Sequence, residues 1–111
     1  MSKFRIRLTD PFKRDLKHLA QKHVSIINDV ENLFLELAEN PTLGTPLGKD
    51  CYKIRLAISS KGKGKSGGSR VITYVHISNE EVLLLTIYDK SEKTDITAKE
   101  LNTILKSVGL N

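Results

Sequence analysis

Basic side chains are concentrated in residues 49 to 70, and the chemistry they suggest is the binding of phosphate groups. This segment holds seven lysines and arginines against one acid, Asp50, whereas all 111 residues together carry a net charge of +5. The basic residues are Lys49, Lys53, Arg55, Lys61, Lys63, Lys65 and Arg70. A solvated loop would explain this composition, but so concentrated a charge attracts phosphates strongly. We therefore favour a polyanionic partner.

The stretch KGKGKSGGSR, residues 61 to 70, contains the GKS triplet of nucleotide-binding loops. Such a loop needs a further glycine five residues before Gly64, but this chain has Ser59 there. It also needs a helix directly after the triplet. Residues 70 to 77, RVITYVHI, are instead β-branched and aromatic and predict a strand. We therefore reject a nucleotide-binding loop and expect a basic loop that is mobile until an anionic partner orders it.

The other reactive side chains do not form a familiar catalytic group. Cys51 is the single cysteine, so no internal disulfide can form, and on a strand it is more often a core residue than a nucleophile. The three histidines are scattered, and no carboxylate pair or His-Glu cluster suggests a metal. The chemistry that remains is phosphate recognition and phosphodiester cleavage, and we expect no metal and no other cofactor.

The length of the chain predicts a single domain over residues 1 to 111. Its apolar fraction of 39% is ordinary for a globular protein, and no apolar run approaches the length of a membrane span. The first ten residues, MSKFRIRLTD, lack the apolar core of a signal peptide. We therefore expect a cytoplasmic protein.

The first half of the chain predicts a strand followed by two helices. Residues 3 to 8, KFRIRL, alternate basic and apolar side chains, as in a half-buried strand. Asp10 and Pro11 then supply an N-cap and a first helical residue. A second helix over residues 24 to 39 has one apolar stripe of Ile27, Val30, Leu33, Phe34 and Leu37. Residues 40 to 46 contain two prolines and a glycine, and they predict a loop.

The second half predicts three strands and a helix. Residues 51 to 58 and 70 to 77 alternate, while residues 82 to 88 are nearly all apolar, as in a central strand covered on both sides. Local connections favour an antiparallel meander. Thr97 and Glu100 form a capping-box pattern for a short terminal helix. The predicted class is α+β, with the N-terminal strand and helical hairpin packed on a small, mainly antiparallel sheet.

This meander would gather cations on one face of the sheet. Lys53 and Arg55 project together from one strand, and Arg70 can project from the next strand onto the same face. Lys90 and Lys93 follow the third strand. The aromatic residues predicted near this surface are Tyr74, His76 and Tyr88.

Three segments, "DCYKIRL", "GGSRVITYV" and "LLLTIYDKSEKTDI", resemble in order and spacing the second half of the RelE and HigB toxins of bacterial type II toxin–antitoxin systems. These toxins belong to the RelE/ParE superfamily. The long glycine-lysine loop is more similar to a HigB-like branch than to RelE itself. The resemblance covers nearly the whole chain, because the order of the elements and the NP-x-x-G segment at residues 40 to 44 also fit.

The resemblance implies a RelE-like fold and a ribosome-dependent endoribonuclease, an mRNA interferase, in the cytoplasm of a bacterium or archaeon. Such an enzyme uses no metal and positions mRNA so that a 2′-hydroxyl attacks the adjacent phosphate, which leaves a cyclic phosphate. The implied partners are the ribosome, mRNA and a cognate antitoxin that holds the free toxin inactive.

The resemblance also implies roles for individual residues. Lys53 and Arg55 match the paired basic residues of the family, Arg70 matches its arginine after the glycine, and Lys90 and Lys93 fall in its K-x-E-x segment. The catalytic set that we expect consists of Lys53, Arg55, Arg70 and Lys90. In this set, an arginine holds the phosphate bidentately and Lys53, crowded by other cations, is the candidate general base. The expected contacts to RNA or ribosome are Lys49, Lys61, Lys63, Lys65, Lys93, Tyr74, His76 and Tyr88.

Two positions depart from the family pattern. Ser91 stands where the family has an arginine after the third strand, and Thr97 stands where it has a tyrosine. Tyr88 or His76 could substitute by stacking on a base or by moving a proton. Two alternatives therefore stay open, namely a ParE-like poison of DNA gyrase and an RNA- or ribosome-binding module that does not cleave.

Overall fold

The computed structural model describes residues 3 to 110, which form one five-stranded sheet with helices on both faces. The elements are β1 (Arg5–Leu8), α1 (Asp10–Ala20), α2 (Ile26–Glu39), β2 (Thr45–Gly48), β3 (Cys51–Leu56), β4 (Ser69–His76), β5 (Glu81–Asp89) and α3 (Ala98–Ser107). The strand order is β1-β5-β4-β3-β2, and only the pairing of β1 with β5 is parallel. The predicted α+β class and meander are confirmed.

The two faces of the sheet explain why β5 is apolar along almost its whole length. Val82, Leu84 and Ile87 pack in the core beneath α1 and α2, whereas Leu83 and Leu85 pack beneath α3 on the other face. A strand buried on both sides needs apolar residues at every position. The prediction of a covered central strand is therefore confirmed.

The N-terminal half follows the prediction with two corrections. Thr9, not Asp10, is the N-cap of α1, because its hydroxyl accepts a hydrogen bond from the Phe12 amide at 3.4 Å. The Thr9 hydroxyl also donates to the Leu84 carbonyl at 2.8 Å, which fixes the helix start against β5. In α2, Ile26 is fully buried and Ile27 is 43% exposed, so the predicted stripe was wrong at Ile27.

Two further corrections concern the strands. The predicted loop before β3 contains the short edge strand β2, which accommodates Pro46 because an edge strand leaves one side of its backbone unpaired. A two-residue turn with positive φ at Lys49 and Asp50 joins β2 to β3. Ile77 was predicted to lie on a strand face, but β4 ends at His76 and the Ile77 side chain is 61% exposed.

The C-terminal helix begins as predicted. The Thr97 hydroxyl accepts from the Glu100 amide, and the Glu100 carboxylate accepts from the Thr97 amide, each at 3.0 Å. This reciprocal capping fixes the start of α3 over the sheet face that carries Lys53 and Arg55. Across residues 3 to 110, no helix has both the length and the apolar character needed to span a membrane.

The first part of the glycine-lysine loop is hydrogen-bonded to the start of α2. Residues Ser59–Lys61 form one turn of 3-10 helix. The Asp29 carboxylate accepts hydrogen bonds from the Ser59 amide at 2.9 Å and from its hydroxyl at 2.5 Å. The Ser60 amide donates to the hydroxyl of Ser25, directly before α2, at 2.9 Å. Helix α2 therefore holds the beginning of the loop.

Candidate phosphate-binding site

Two arginines on neighbouring strands form the centre of the candidate site. Arg55 on β3 is directly opposite Arg70 on β4 in the antiparallel register, so both side chains leave the same face of the sheet. Lys53 lies on that face as well, because it is two residues from Arg55 along β3. The predicted placement of these three cations on one face is confirmed.

Arg70 is buried, with only 6% of its surface exposed, and it holds the end of the glycine-lysine loop. Its Nη1 atom donates hydrogen bonds to the Lys65 carbonyl at 2.9 Å and to the Ser69 carbonyl at 3.0 Å. A guanidinium has five N–H donors, and these two bonds occupy one nitrogen. Donors on the other nitrogens therefore remain for an anion.

Glycine is required where the loop returns to the sheet. A Cβ atom on Gly68 would lie 2.5 Å from the Leu56 carbonyl oxygen of β3, closer than nonbonded atoms approach. The Gly68 carbonyl accepts from the Lys90 amide at 3.1 Å, which ties this point to the end of β5. Gly68 thus brings the loop close to both strands beside Arg70.

An open cavity of about 260 Å³ lies next to Arg55 at the β3 edge of the sheet, toward the face that α2 covers and not the face of the two opposed arginines. Three of the predicted cations line it, namely Lys53, Arg55 and Lys65, together with Glu36 of α2. Arg55 is exposed and forms no ion pair within residues 3 to 110. The site is therefore open to solvent on the side of Arg55 and closed on the side of Arg70.

Lys53 has an acidic partner that the sequence does not predict. Its Nζ atom lies 3.1 Å from the Asp95 carboxylate, which also accepts from the Ile96 amide at 2.8 Å. Hydrogen bonds from Ile96 and Lys53, and then the positive charges of Lys53 and Arg70, lower the pKa of Asp95. Asp95 is 42 residues from Lys53, so only the packing of the C-terminal segment brings them together.

Arg70 on β4 has two neighbours in the sheet register, Arg55 on β3 and Tyr88 on β5. The Tyr88 hydroxyl is buried and finds no hydrogen-bond partner among the described residues. Burial, and then the charge of Asp95, raise the pKa of Tyr88, while Arg70 opposes this shift. The phenol therefore stays protonated near pH 7 and can donate a proton or a hydrogen bond.

The segment after β5 contributes three further positions named in the sequence analysis. Lys93 is ion-paired with Glu100 of α3, and its Nζ atom lies 5.7 Å from the centroid of the Tyr88 ring. Lys90 is half-buried directly after β5. Ser91, which departs from the family pattern, donates hydrogen bonds from its amide and hydroxyl to Asp89 at 2.9 and 2.8 Å. Ser91 therefore has a structural role.

The three lysines of the loop have different environments. Lys61 is largely buried, and its Nζ atom lies 3.1 Å from the Asp89 carboxylate. Lys63 and Lys65 are exposed and form no ion pair within the part of the chain that the structure describes. Of the three, only Lys63 and Lys65 present free charge to a partner in this conformation.

Asp89 joins the loop to the helical hairpin. It is 3% exposed, and besides Lys61 and Ser91 it contacts His23, whose Nε2 atom lies 2.8 Å from the carboxylate. Burial alone would raise the pKa of Asp89, but hydrogen bonds from Ser91, Lys61 and His23 outweigh it and hold the pKa well below its usual range. The sequence contains one weak indication of this site, an acid directly after an apolar strand.

Three predicted contacts lie away from the arginines, at the other end of the sheet. Lys49 is in the turn between β2 and β3, where its ammonium donates to the Asn102 side chain of α3. Tyr74 is in register with Cys51, and His76 accepts from the Asn79 amide at 3.2 Å. At about 3.3 Å per residue, His76 lies roughly 20 Å from Arg70 along β4. The structure thus separates these residues from the site.

Cys51 is a core residue, as predicted. It is 1% exposed and packs between the sheet and α3. Burial, and then the nearby Asp50 carboxylate, raise the pKa of the Cys51 thiol to about 11. A thiol that remains protonated at neutral pH is a poor nucleophile.

A family model described as the RelE toxin of the RelE/RelB toxin–antitoxin system matches residues 5 to 109. Among solved structures, the chain is similar to a mutant of the Escherichia coli toxin RelE in the free state, with a TM-score of 0.61, 18% identity and coverage of 97% of this chain and 99% of that chain. A toxin–antitoxin complex, RelBE2 of Mycobacterium tuberculosis, matches with a TM-score of 0.59, 20% identity and coverage of 80% and 93%. The intact E. coli RelBE toxin–antitoxin complex matches with a TM-score of 0.60, 17% identity and coverage of 78% and 95%. At these identities, the structural matches support the fold.

Proposed function

The chain belongs to the RelE family of toxins, and on that premise we propose that it is a metal-independent endoribonuclease that cleaves mRNA on the ribosome. The observation that carries the proposal is the opposition of Arg55 and Arg70 on one sheet face. Like charges directly opposite in a sheet are destabilising. An anion between them, such as the phosphate of an RNA chain, would remove this repulsion.

In the proposed reaction, Arg55 and the free donors of Arg70 hold the phosphate that is attacked. Lys53 first contacts the phosphate as an ammonium and gives up its proton to solvent; as the free amine it then takes the proton from the neighbouring 2′-hydroxyl. The 2′-oxygen bonds to phosphorus, and the bond from phosphorus to the 5′-oxygen breaks. The two guanidinium groups stabilise the extra negative charge of the pentacoordinate state. The products are a 2′,3′-cyclic phosphate and a free 5′-hydroxyl.

The leaving 5′-oxygen must receive a proton, and we propose Tyr88 as the donor. Tyr88 is the neighbour of Arg70 in the register of β4 and β5, and its hydroxyl is protonated near neutral pH and has no hydrogen-bond partner within residues 3 to 110. Lys90, directly after β5, would add positive charge on the same side of the site.

The remaining cations are proposed to position RNA or the ribosome. Lys63 and Lys65 are exposed, and the Lys65 carbonyl accepts a hydrogen bond from Arg70. The loop would therefore bind the phosphates that flank the one held at the site. Lys93, next to Tyr88, would contact RNA or the ribosome there. The three contacts at the far end of the sheet, Lys49, Tyr74 and His76, would meet a separate stretch of RNA or ribosome, whereas Lys61 would support the loop through Asp89.

We further propose a cognate antitoxin as the protein partner, and the cytoplasm of a bacterium or archaeon as the location. Two of the matching structures are toxin–antitoxin complexes, one from M. tuberculosis and one from E. coli. The concentrated positive charge of residues 49 to 70 would suit an acidic segment of such a partner. Because of the long basic loop, we also propose that the chain belongs to a HigB-like branch of the family.

A ribosome-binding module without cleavage is the second candidate. The observation that favours it is that the two departures from the family pattern are engaged structurally. Ser91 donates hydrogen bonds to the Asp89 carboxylate, and Thr97 is the N-cap of α3. Neither residue has a side chain that can replace an arginine or a tyrosine in phosphate chemistry.

Primer extension on mRNA, with and without ribosomes and in the presence of a metal chelator, tests the proposal. We expect cuts that require the ribosome, persist in chelator and disappear in Arg70→Ala, with circular dichroism used to check that the variant folds. An absence of cuts in the wild type would contradict cleavage. Binding to ribosomes would then support the second candidate, and inhibition of DNA supercoiling by gyrase would support a ParE-like poison.

A further inference from the structure

We propose that Asp95 is an internal occupant of the phosphate site, which an incoming phosphate must displace from Lys53. The inference rests on the proposed function for the nature of the substrate. Its basis is the ion pair of 3.1 Å between Asp95 and Lys53, on the sheet face that carries Arg55 and Arg70. A carboxylate and a phosphodiester both present anionic oxygens to the same donors, so the two compete.

The negative charge of Asp95 acts on two groups of the site besides Lys53. Arg70 contributes to lowering the pKa of Asp95, and Asp95 in turn contributes to raising the pKa of Tyr88. Asp95 therefore interacts electrostatically with Lys53, Arg70 and Tyr88. These are three of the groups assigned above to phosphate binding and proton transfer.

Asp95 can leave Lys53 at little cost. Its side chain in the ion pair is 62% exposed, so departure uncovers little apolar surface. The bond that its carboxylate accepts from the Ile96 amide is local and is retained whether or not Lys53 is present. A partly exposed ion pair contributes only weakly to stability. The contact is therefore weak enough to yield to phosphate.

Asp95→Asn removes the charge and keeps the local fold, because asparagine can still accept from the Ile96 amide. Asp50→Asn is the matched control. It removes one negative charge from the basic segment, and its positive φ of 62° is tolerated by asparagine. Asp50 makes no ion pair within the described residues, whereas Asp95 pairs with Lys53.

Inorganic phosphate tests the inference independently of RNA cleavage. We expect a phosphate-dependent rise in Tm, at constant ionic strength set by chloride, that is larger for Asp95→Asn than for the wild type and Asp50→Asn. The affinity for phosphate should increase roughly two- to fivefold, the range expected for removing one exposed ion pair. Equal phosphate responses in Asp95→Asn and Asp50→Asn would overturn the inference, whatever the chain does to RNA.

Short single-stranded RNA then provides the second measurement. In fluorescence anisotropy, Asp95→Asn should bind RNA more tightly than Asp50→Asn. The logarithm of its association constant should also fall more steeply with the logarithm of the salt concentration, by about 0.7 in slope, as expected for one more phosphate contact. Loss of ribosome-dependent cleavage in Asp95→Asn with unchanged phosphate binding would make Asp95 part of the chemistry and would overturn its role as a competitor. A wild type that binds phosphate but cuts no mRNA would contradict the proposed function alone.

Discussion

Arg55 and Arg70 lie directly opposite each other on β3 and β4, one exposed and the other buried. The buried arginine is fixed by two backbone carbonyls, whereas Arg55 forms no ion pair among the described residues. The protein therefore maintains a repulsive pair in which one member is rigid and the other is free to adjust. Such a pair lowers the stability of the sheet, and the anion proposed to bind between the two arginines would remove that cost.

Replacing Arg55 by threonine should increase stability while it removes a proposed phosphate ligand. Threonine favours strands, and the repulsion from Arg70 disappears, so we expect a gain of about 0.5 kcal/mol in the free energy of unfolding. Urea denaturation measures it. Arg7→Thr is the control, because Arg7 is an exposed strand residue that lies 3.9 Å from the Glu81 carboxylate and has Leu83, not another arginine, opposite it. A larger loss of stability in Arg55→Thr than in Arg7→Thr would contradict the repulsion.

Asp89 should make the protein sensitive to acid. The pKa of Asp89 is lower in the folded protein than in the unfolded chain, where it is about 3.9. The stability that Asp89 contributes is therefore fully present above about pH 3.9, and it is lost as the pH falls from that value toward the pKa of the folded protein. Asp89→Asn should cost about 3 kcal/mol at pH 7, because it leaves Lys61 and His23 without their buried carboxylate.

Urea denaturation between pH 7 and pH 2 measures both effects. The decline in stability below about pH 4 should be shallower in Asp89→Asn than in the wild type. Asp50→Asn, at an exposed position, should retain the wild-type slope. Equal slopes in Asp89→Asn and the wild type would show that other carboxyl groups dominate.

Gly44 should be intolerant of any side chain. Its φ is +105°, and a Cβ atom would lie 2.5 Å from the carbonyl oxygen of Lys53. Gly62 also has a positive φ, of +68°, but no atom lies within 4 Å of its Cβ position. Gly44→Ala should therefore lose about 2 kcal/mol more than Gly62→Ala, because strain and collision act together. Thermal unfolding of the two variants compares them, and equal losses would mean that the Lys53 backbone yields easily.

The sequence predicts the centre of the candidate site because that centre depends on local structure. Alternation places Lys53 and Arg55 on one face of a strand, and a meander with a single loop brings Arg70 onto the neighbouring strand. These features follow from side-chain periodicity and chain connectivity.

The acidic partners of the cations depend instead on tertiary packing. Asp95 lies between β5 and α3 and reaches Lys53 through the packing of this segment on the sheet, which no spacing in the sequence encodes. Asp89 is likewise paired with His23 through the docking of the helical hairpin. The N-cap of α1 illustrates the same limit, since Thr9 and Asp10 are both good caps and the bond from Thr9 to β5 decides between them.

The most direct test of the account measures single-turnover cleavage of ribosome-bound mRNA by Arg55→Ala, with Arg7→Ala as the matched arginine control. Loss of a charged donor to the transition state should reduce the cleavage rate of Arg55→Ala by about 100-fold or more, without loss of folding. Arg7→Ala should cleave at the wild-type rate. If the two variants cleave mRNA at rates within about twofold of each other, the opposing arginines do not hold the phosphate that is cut.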